Sequence, residues 1–271
     1  MEGPFYFYLF RVKLRVVDFR KKRQLVIIAT VLAAIFIPIG IIAYIYAPRP
    51  TCFDNRRNQG EEKADCGGPC IPCALKHPEE MSVFWVRFVE VRENTYDIVA
   101  EVRNPNLKLG ARQFEYDFQL FDTAGVQVAK RISRSFIFPG ETTYLVETNI
   151  QTERLLDHAT LALGDTSWVF TDVISPDVVV GEKRLNFLSA RNETTLQATL
   201  INRSLLDFGE IFLSALIFDE RGNILAASKV TEKNLNSGES RPIFFSWPRE
   251  IKRDKTTVTV ESRVNTIGRP N

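Results

Sequence analysis

The chain has 271 residues, 45% of them apolar, and a net charge of +2, which is enough material for about two domains of roughly 100–150 residues with buried cores. No basic stripe appears outside the first 23 residues, so the electrostatic footprint of a nucleic-acid-binding protein is excluded. The only histidines are His77 and His158, which leaves little scope for histidine-based catalysis or metal chemistry.

Residues 1–23 form a basic, aromatic tail. Arg11, Lys13, Arg15, Arg20, Lys21, Lys22 and Arg23 are set against only Glu2 and Asp18. The stretch from Pro4 to Phe19 is also apolar. It suits either a segment lying on the inner leaflet with its cations toward anionic headgroups or a disordered tail with a few charges.

From Leu25 to Ala47 run 23 residues without a charge. About 20 apolar residues in a helix match the hydrocarbon thickness of a bilayer. In lipid the backbone must bond to itself, so a transmembrane helix is expected over residues 24–47. Pro38 and Gly40 are tolerated in such helices, and Tyr44 and Tyr46 suit the outer interface. The rival readings are a buried core helix and a cleaved signal peptide. The second is disfavoured by the length of the run and by Ile45 three residues before a cut at Ala47. Arg20, Lys21, Lys22 and Arg23 abut the N-terminal end of the run, which places the N-terminus in the cytoplasm and residues 48–271 outside.

All four cysteines, Cys52, Cys66, Cys70 and Cys73, fall in residues 48–80, with the spacing C-x13-C-x3-C-x2-C. Outside the cell an even number of thiols in a short, core-poor segment points to two disulfides, in any of three pairings. Zinc is the competing reading, but separated knuckle pairs are missing. The same segment is rich in oxygen ligands. Asp54, Asn55, Asn58, Glu61 and Asp65 are candidates for calcium, although their spacing is not that of an EF-hand loop. No other cofactor is expected.

These residues carry a resemblance. The order Asp54-Asn55, Asn58-Gln59-Gly60-Glu61 and Asp65-Cys66-Gly67-Gly68-Pro69-Cys70 resembles the DCGG-type cysteine-rich module, over about 22 residues. The resemblance implies an extracytoplasmic disulfide-bonded stalk without enzymatic activity.

Beyond residue 80 apolar residues alternate. Tyr96, Ile98, Ala100 and Val102 alternate with Asp97, Val99, Glu101 and Arg103. Phe114, Tyr116, Phe118 and Leu120 form a second such face, Tyr144, Val146, Thr148 and Ile150 a third, and Ile211, Leu213, Ala215 and Ile217 a fourth. Period two predicts strands with one set toward a core and the other toward solvent. Turn signals at Asn104-Pro105, Asp122–Gly125, Pro139-Gly140, Asp219–Gly222 and Ser237-Gly238 separate them, as in an all-β sandwich.

The pattern repeats at an offset of 97 or 98. Asn104 matches Asn202, Phe121-Asp122 matches Phe218-Asp219, Gly125 matches Gly222, and Gly140-Glu141 matches Gly238-Glu239. A domain-sized period signals tandem duplication. Sandwiches are expected over residues 81–174 and 175–271, hinged at Ser175-Pro176-Asp177. The run Phe118-Gln119-Leu120-Phe121-Asp122, with a glycine turn and then Pro139-Gly140-Glu141, resembles FxLYD-type domains. That resemblance implies an immunoglobulin-like fold and a place on the bacterial envelope.

Motifs for nucleotide binding, metalloprotease or serine-hydrolase chemistry are missing. Gly164–Trp168 is expected on a loop at the end of a sandwich, His158 on the surface, and Trp85, Trp168 and Trp247 in cores or edges. The expected architecture is all-β, two tandem immunoglobulin-like sandwiches after one transmembrane helix and a disulfide-rich segment. The expected function is a non-enzymatic, membrane-anchored binding or structural protein of the cell envelope, with the lipid bilayer and a protein or glycan outside as partners. The alternative is an accessory subunit of a larger membrane assembly serving secretion, surface appendages or division.

Overall fold

The computed structural model describes residues 19–47, 49–251 and 256–268. The interfacial reading of the tail therefore lies, except for Phe19, outside the described residues. The chain forms two compact units, Met1–Asp54 and Asn55–Asn271.

The first unit contains α1 (Phe19–Tyr46). The helix starts before the expected boundary because Arg20–Arg23 are good helix formers and join it. Pro38 lies inside it. Its best window has a mean hydropathy of 2.9, and none of it is buried within the protein. The helix is long and apolar enough to cross a membrane. Thr30 Oγ1 donates to the Ile27 carbonyl at 2.9 Å, so this polar group is satisfied within the helix.

The second unit begins with the cysteine segment and a short turn of helix, α2 (Cys73–Lys76). Among the described residues twelve strands follow. The first six are β1 (Ser82–Arg92), β2 (Thr95–Arg103), β3 (Leu109–Asp122), β4 (Gln127–Ile137), β5 (Thr142–Gln151) and β6 (Leu156–Phe170). The second six are β7 (Val178–Leu188), β8 (Glu193–Asn202), β9 (Phe208–Asp219), β10 (Ile224–Leu235), β11 (Ser240–Trp247) and β12 (Thr256–Arg263). They form antiparallel sheets ordered β1-β2-β5, β4-β3-β6, β7-β8-β11 and β10-β9-β12. Adding six to each strand number of the first half gives the sheet order of the second, so the duplication extends to topology. Each half packs its two sheets around a core. Ile98, Phe114, Phe118 and Leu120 lie at the centre of the first, and Leu196, Ile211, Leu213 and Trp247 at the centre of the second.

The repeated anchors do the same physical work in both halves. Asn104 is fully buried, donates through Nδ2 to the carbonyls of Leu109 (2.6 Å) and Phe138 (2.9 Å), and accepts from the Asn106 amide at 3.0 Å. Asn202 donates to Leu206 (2.8 Å) and Asn236 (2.9 Å) and accepts from Ser204 at 3.0 Å. One amide side chain thus ties the loop after β2 or β8 to the turn after β4 or β10. Asp122 and Asp219 close the β3–β4 and β9–β10 hairpins by accepting two amides each, from Ala124 and Val126 and from Arg221 and Asn223. Both carboxyls sit below their usual range. For Asp122 the leading cause is the Val126 amide, followed by Arg154. For Asp219 it is the Asn223 side chain. Glu141 and Glu239 accept the amides of Phe138 (2.6 Å) and Asn236 (2.8 Å).

Two expectations need correction. Asp97 and Val99 were assigned to solvent, yet both are buried, because the second sandwich covers that face of β2. Gly164–Trp168 is not a loop but part of β6. A register shift opposite Phe114–Tyr116 absorbs the glycine.

Asn104→Ala would remove the side-chain donor to the Leu109 and Phe138 carbonyls at a fully buried site, leaving the Phe138 carbonyl only the Glu141 amide at 3.3 Å. We expect a loss of about 2–4 kcal/mol in chemical denaturation. Thr160→Ala on an exposed strand position should change stability by less than about 0.5 kcal/mol. Equal effects would show that the asparagine does not clamp the loop.

Candidate functional site

The two sandwiches meet face to face. Val99 of β2 and Val146 of β5 pack against Leu216 of β9 and Ile224 and Ala227 of β10, and Trp85, Val89, Tyr144 and Phe218 surround them. The aromatic contacts run from Trp85 to Tyr144 (5.8 Å) and on to Phe218 (6.3 Å). Each buried aliphatic side chain here contributes roughly 1.5–3 kcal/mol.

Ionic contacts ring this patch. Glu147 is 5% exposed, and its Oε1 accepts from the Tyr116 hydroxyl and from Lys229 Nζ, both at 2.8 Å. Arg131 lies 4.0 Å from Oε2. Burial, with the nearby Glu147 charge, pushes the Tyr116 hydroxyl well above its ordinary range. Arg263 of β12 grips Glu141 with two bonds of 3.0 Å, lies 4.3 Å over the Phe136 ring, and donates to the Phe136 carbonyl. Glu261 accepts from Thr143 Oγ1 (3.1 Å) and the Tyr144 amide (3.3 Å), and burial raises its pKa against the pull of Arg263. Beyond β12, Ile267 packs against Phe136 and Phe138, and Asn265 donates to the Arg112 carbonyl at 3.0 Å. The end of the second sandwich is therefore strapped to the first.

Beside these contacts lies a cleft. Two adjoining cavities of about 370 and 450 Å³ share Arg134, Ser135, Phe136 and Phe212. Their described charged lining is Arg112, Arg134, Lys229 and Arg263 against Glu210 alone. Lys229 is paired with Glu147 and the buried Arg263 with Glu141, whereas Arg112 and Arg134 are exposed. Aromatic rings of Phe136 and Phe212, 5.9 Å apart, form the floor. A cleft at a domain junction with apolar floor and a few directed charges is a binding geometry. His158 does not line it. That ring stacks on Phe121 at 4.9 Å and pairs with Asp157 at 3.0 Å.

None of the candidate disulfide, calcium or membrane-orienting residues named from the sequence lines this cleft, although Tyr116, Tyr144, Val146 and Leu213 of the alternating strands do. Arg20–Arg23 occupy the first turns of α1 and are exposed. All four cysteines are disulfide-bonded. Of the three pairings, the structure has the one that joins Cys66 to Cys73, with Cα atoms 4.8 Å apart. Asp54, in the first unit, accepts the Thr51 amide at 3.3 Å. In the second unit the Asp65 carboxylate accepts the Asn55 amide at 3.0 and 3.1 Å and meets Lys76 Nζ at 3.5 Å. Glu61 accepts the amides of Asn58 and Asp65, each at 3.2 Å. These carboxylates brace the loop through its own backbone. Gly67 and Gly68 both have positive φ, and a Cβ on Gly68 would stand 2.6 Å from the Gly60 carbonyl. The paired glycines are required by that close chain crossing.

The cleft residues were missed because Arg112, Arg134 and Lys229 are isolated on alternate strand positions and form no motif. The signal for the interface was visible. Ile211–Phe218, IFLSALIF, is apolar on both faces at Phe212, Leu216 and Phe218, which marks a strand covered twice.

No protein-family model and no curated protein matches the chain. Among solved structures, red sea bream transglutaminase aligns with 70% of this chain and 30% of its own length, at 10% identity and a TM-score of 0.24. A β-glucuronidase of Parabacteroides merdae aligns with 61% of this chain and 27% of its own, at 9% identity and a TM-score of 0.21. The chain thus spans less than a third of either protein, and likenesses this weak carry no argument.

The interface makes a pH prediction. Asp97 is 4% exposed. Burial raises its pKa to about 6, opposed by the Asn149 amide and by Arg92 and Arg249. A carboxyl raised in the folded state penalises folding above pH 6. The penalty fades as pH falls toward the unfolded value, and at full size it is roughly 3 kcal/mol. Asp97→Asn keeps an acceptor for the Asn149 amide. It should stabilise the protein by about 1–3 kcal/mol at pH 8 and not at pH 4, read by denaturant unfolding. The same gain at both pH values would contradict the assignment.

Proposed function

We propose that the chain is a non-enzymatic, membrane-anchored binding protein of the cell envelope. On this reading α1 is an uncleaved signal-anchor, Arg20–Arg23 hold its N-terminal end in the cytoplasm, and the two sandwiches lie outside. Residues 48–80 are then a DCGG-type stalk, and the sandwiches are FxLYD-type domains. The observation that carries the reading is the pairing of a helix that has four cations in its first turns and no charge from Leu25 onward with cysteines that are all oxidised. Disulfides persist in oxidising compartments, and the positive-inside rule gives the same side for the segment that follows the helix.

The cleft supports a binding role over a purely structural one. A spacer has no need of a concave wall lined by four cations and one acid. The interface supports it too, because a site shared by two domains keeps its geometry only if the domains hold their relation.

Fusions to the C-terminus test the topology. Alkaline phosphatase, which needs an oxidising compartment, should be active there, and a fluorescent protein that folds only in the cytoplasm should be dark. The fused chain should stay in the membrane pellet after alkaline carbonate washing. A bright cytoplasmic fusion, or release as a shortened soluble product, would overturn the reading.

A further inference from the structure

We propose that the junction cleft receives an extended acidic strand of a partner protein, which pairs edge to edge with β4. The proposal deepens the binding role above and rests on it. Four observations converge on β4. It pairs with β3 on one side, and among the described residues no strand pairs with its other edge, although Arg263 takes the Phe136 carbonyl. Its sequence, QVAKRISRSFI, holds three cations and no acid. The two adjoining cavities run along its residues 133–136. Arg112 of β3, which donates to the Gly268 carbonyl at 3.2 Å, lines one cavity and Lys229 of β10 the other, so both add charge of the same sign, and the half-exposed Phe212 beside the buried Phe136 adds apolar surface.

An extended strand fits this arrangement by its period. Its alternate side chains lie ~7 Å apart on one face, so acids can meet the cations while the other set rests on the aromatic floor. About six residues span ~20 Å. Main-chain bonds to the free edge supply affinity, and side-chain pockets supply choice. The ion pairs of the first sandwich leave this field in place. Lys130 is held by Asp117 at 3.0 Å on the outer face, whereas Arg134 meets Glu115 only at 3.7 Å and is 66% exposed. A free carboxylate can therefore compete for Arg134.

The test uses the full chain in nanodiscs and the fluorescein-labelled peptide acetyl-Glu-Val-Glu-Val-Glu-Val-amide, read by anisotropy. Binding should weaken at least tenfold between 50 and 500 mM salt, as screening requires. It should also weaken at least tenfold in Arg134→Glu and in Arg112→Glu. Both side chains are exposed, and unchanged melting curves will show that the variants fold. The same peptide N-methylated on alternate residues keeps every charge but cannot pair as a strand, and it should not bind. Equal binding of the methylated peptide, or displacement of the probe by polygalacturonate, would overturn the proposal in favour of a simple anion site. So would a wild-type chain that binds nothing while Arg134→Glu self-associates, since the cations would then only keep copies apart. Each of these results is read on purified protein, so a failure here leaves the membrane topology standing, and a failure of the topology fusions leaves the cleft's peptide binding to be read independently.

Discussion

Val99 and Val146 on one sheet and Leu216, Ile224 and Ala227 on the other form the contact on which the rest of the second unit depends. A three-stranded sheet with one core face normally turns its second face to water. Here both second faces are apolar at their centres, and exposing them would cost the hydrophobic stabilisation of five aliphatic side chains. Their burial fixes how one sandwich meets the other. That in turn places Lys229 on Glu147 and Arg263 on Glu141, and it opens the cleft between β4 and the strands of the second sandwich. The ionic pairs are a consequence of the packing. Lys229 and Arg131 are nearly half exposed, so their pairs with Glu147 set geometry more than they add stability.

The duplication extends to the docking faces only in part. Each repeat has the same sheets, so each could in principle offer the same docking faces. The counterparts of Leu216, Ile224 and Ala227 in the first repeat are Gln119, Gln127 and Lys130, and their pairing is conserved: Leu216 faces Ala227, and Gln119 faces Lys130. The counterpart of Val99 in the second repeat is Gln197. Core positions stayed apolar in both copies, and docking positions stayed apolar in one copy of each face only. The two outermost sheets are polar where the inner ones are greasy. Phe244, opposite Val146 in the repeat, is the exception and stands 60% exposed.

Much of the strand architecture was legible because its cause is local. Period-two alternation around Ile98, Phe118 and Leu213 reports which side chains face the core, and Asp122, Asn104 and their repeats mark turns by hydrogen bonds made within a few residues. The helix was legible from composition alone. What escaped was the product of long-range contact. Asp97 and Val99 look like an ordinary solvent face until a domain about 120 residues away covers them. Cys66–Cys73 could not be chosen among three pairings, because the loop path set by Gly67 and Gly68 decides it. The cleft escaped for the same reason: Arg112, Arg134 and Lys229 meet only after both sandwiches have folded and docked.

The account as a whole therefore turns on whether the sandwiches keep one relation in solution. Thr160 and Gln197 are exposed strand residues on the two outermost sheets, one in each sandwich. Spin labels on Thr160→Cys and Gln197→Cys, attached without reducing the native disulfides, would report the distance between those sheets by pulsed electron resonance. A docked pair predicts a single narrow distance distribution that is unchanged between 50 and 500 mM salt, because apolar contact and not charge holds it. A broad or multiply peaked distribution would contradict the account, since the two domains would then move independently and no fixed cleft could exist between them.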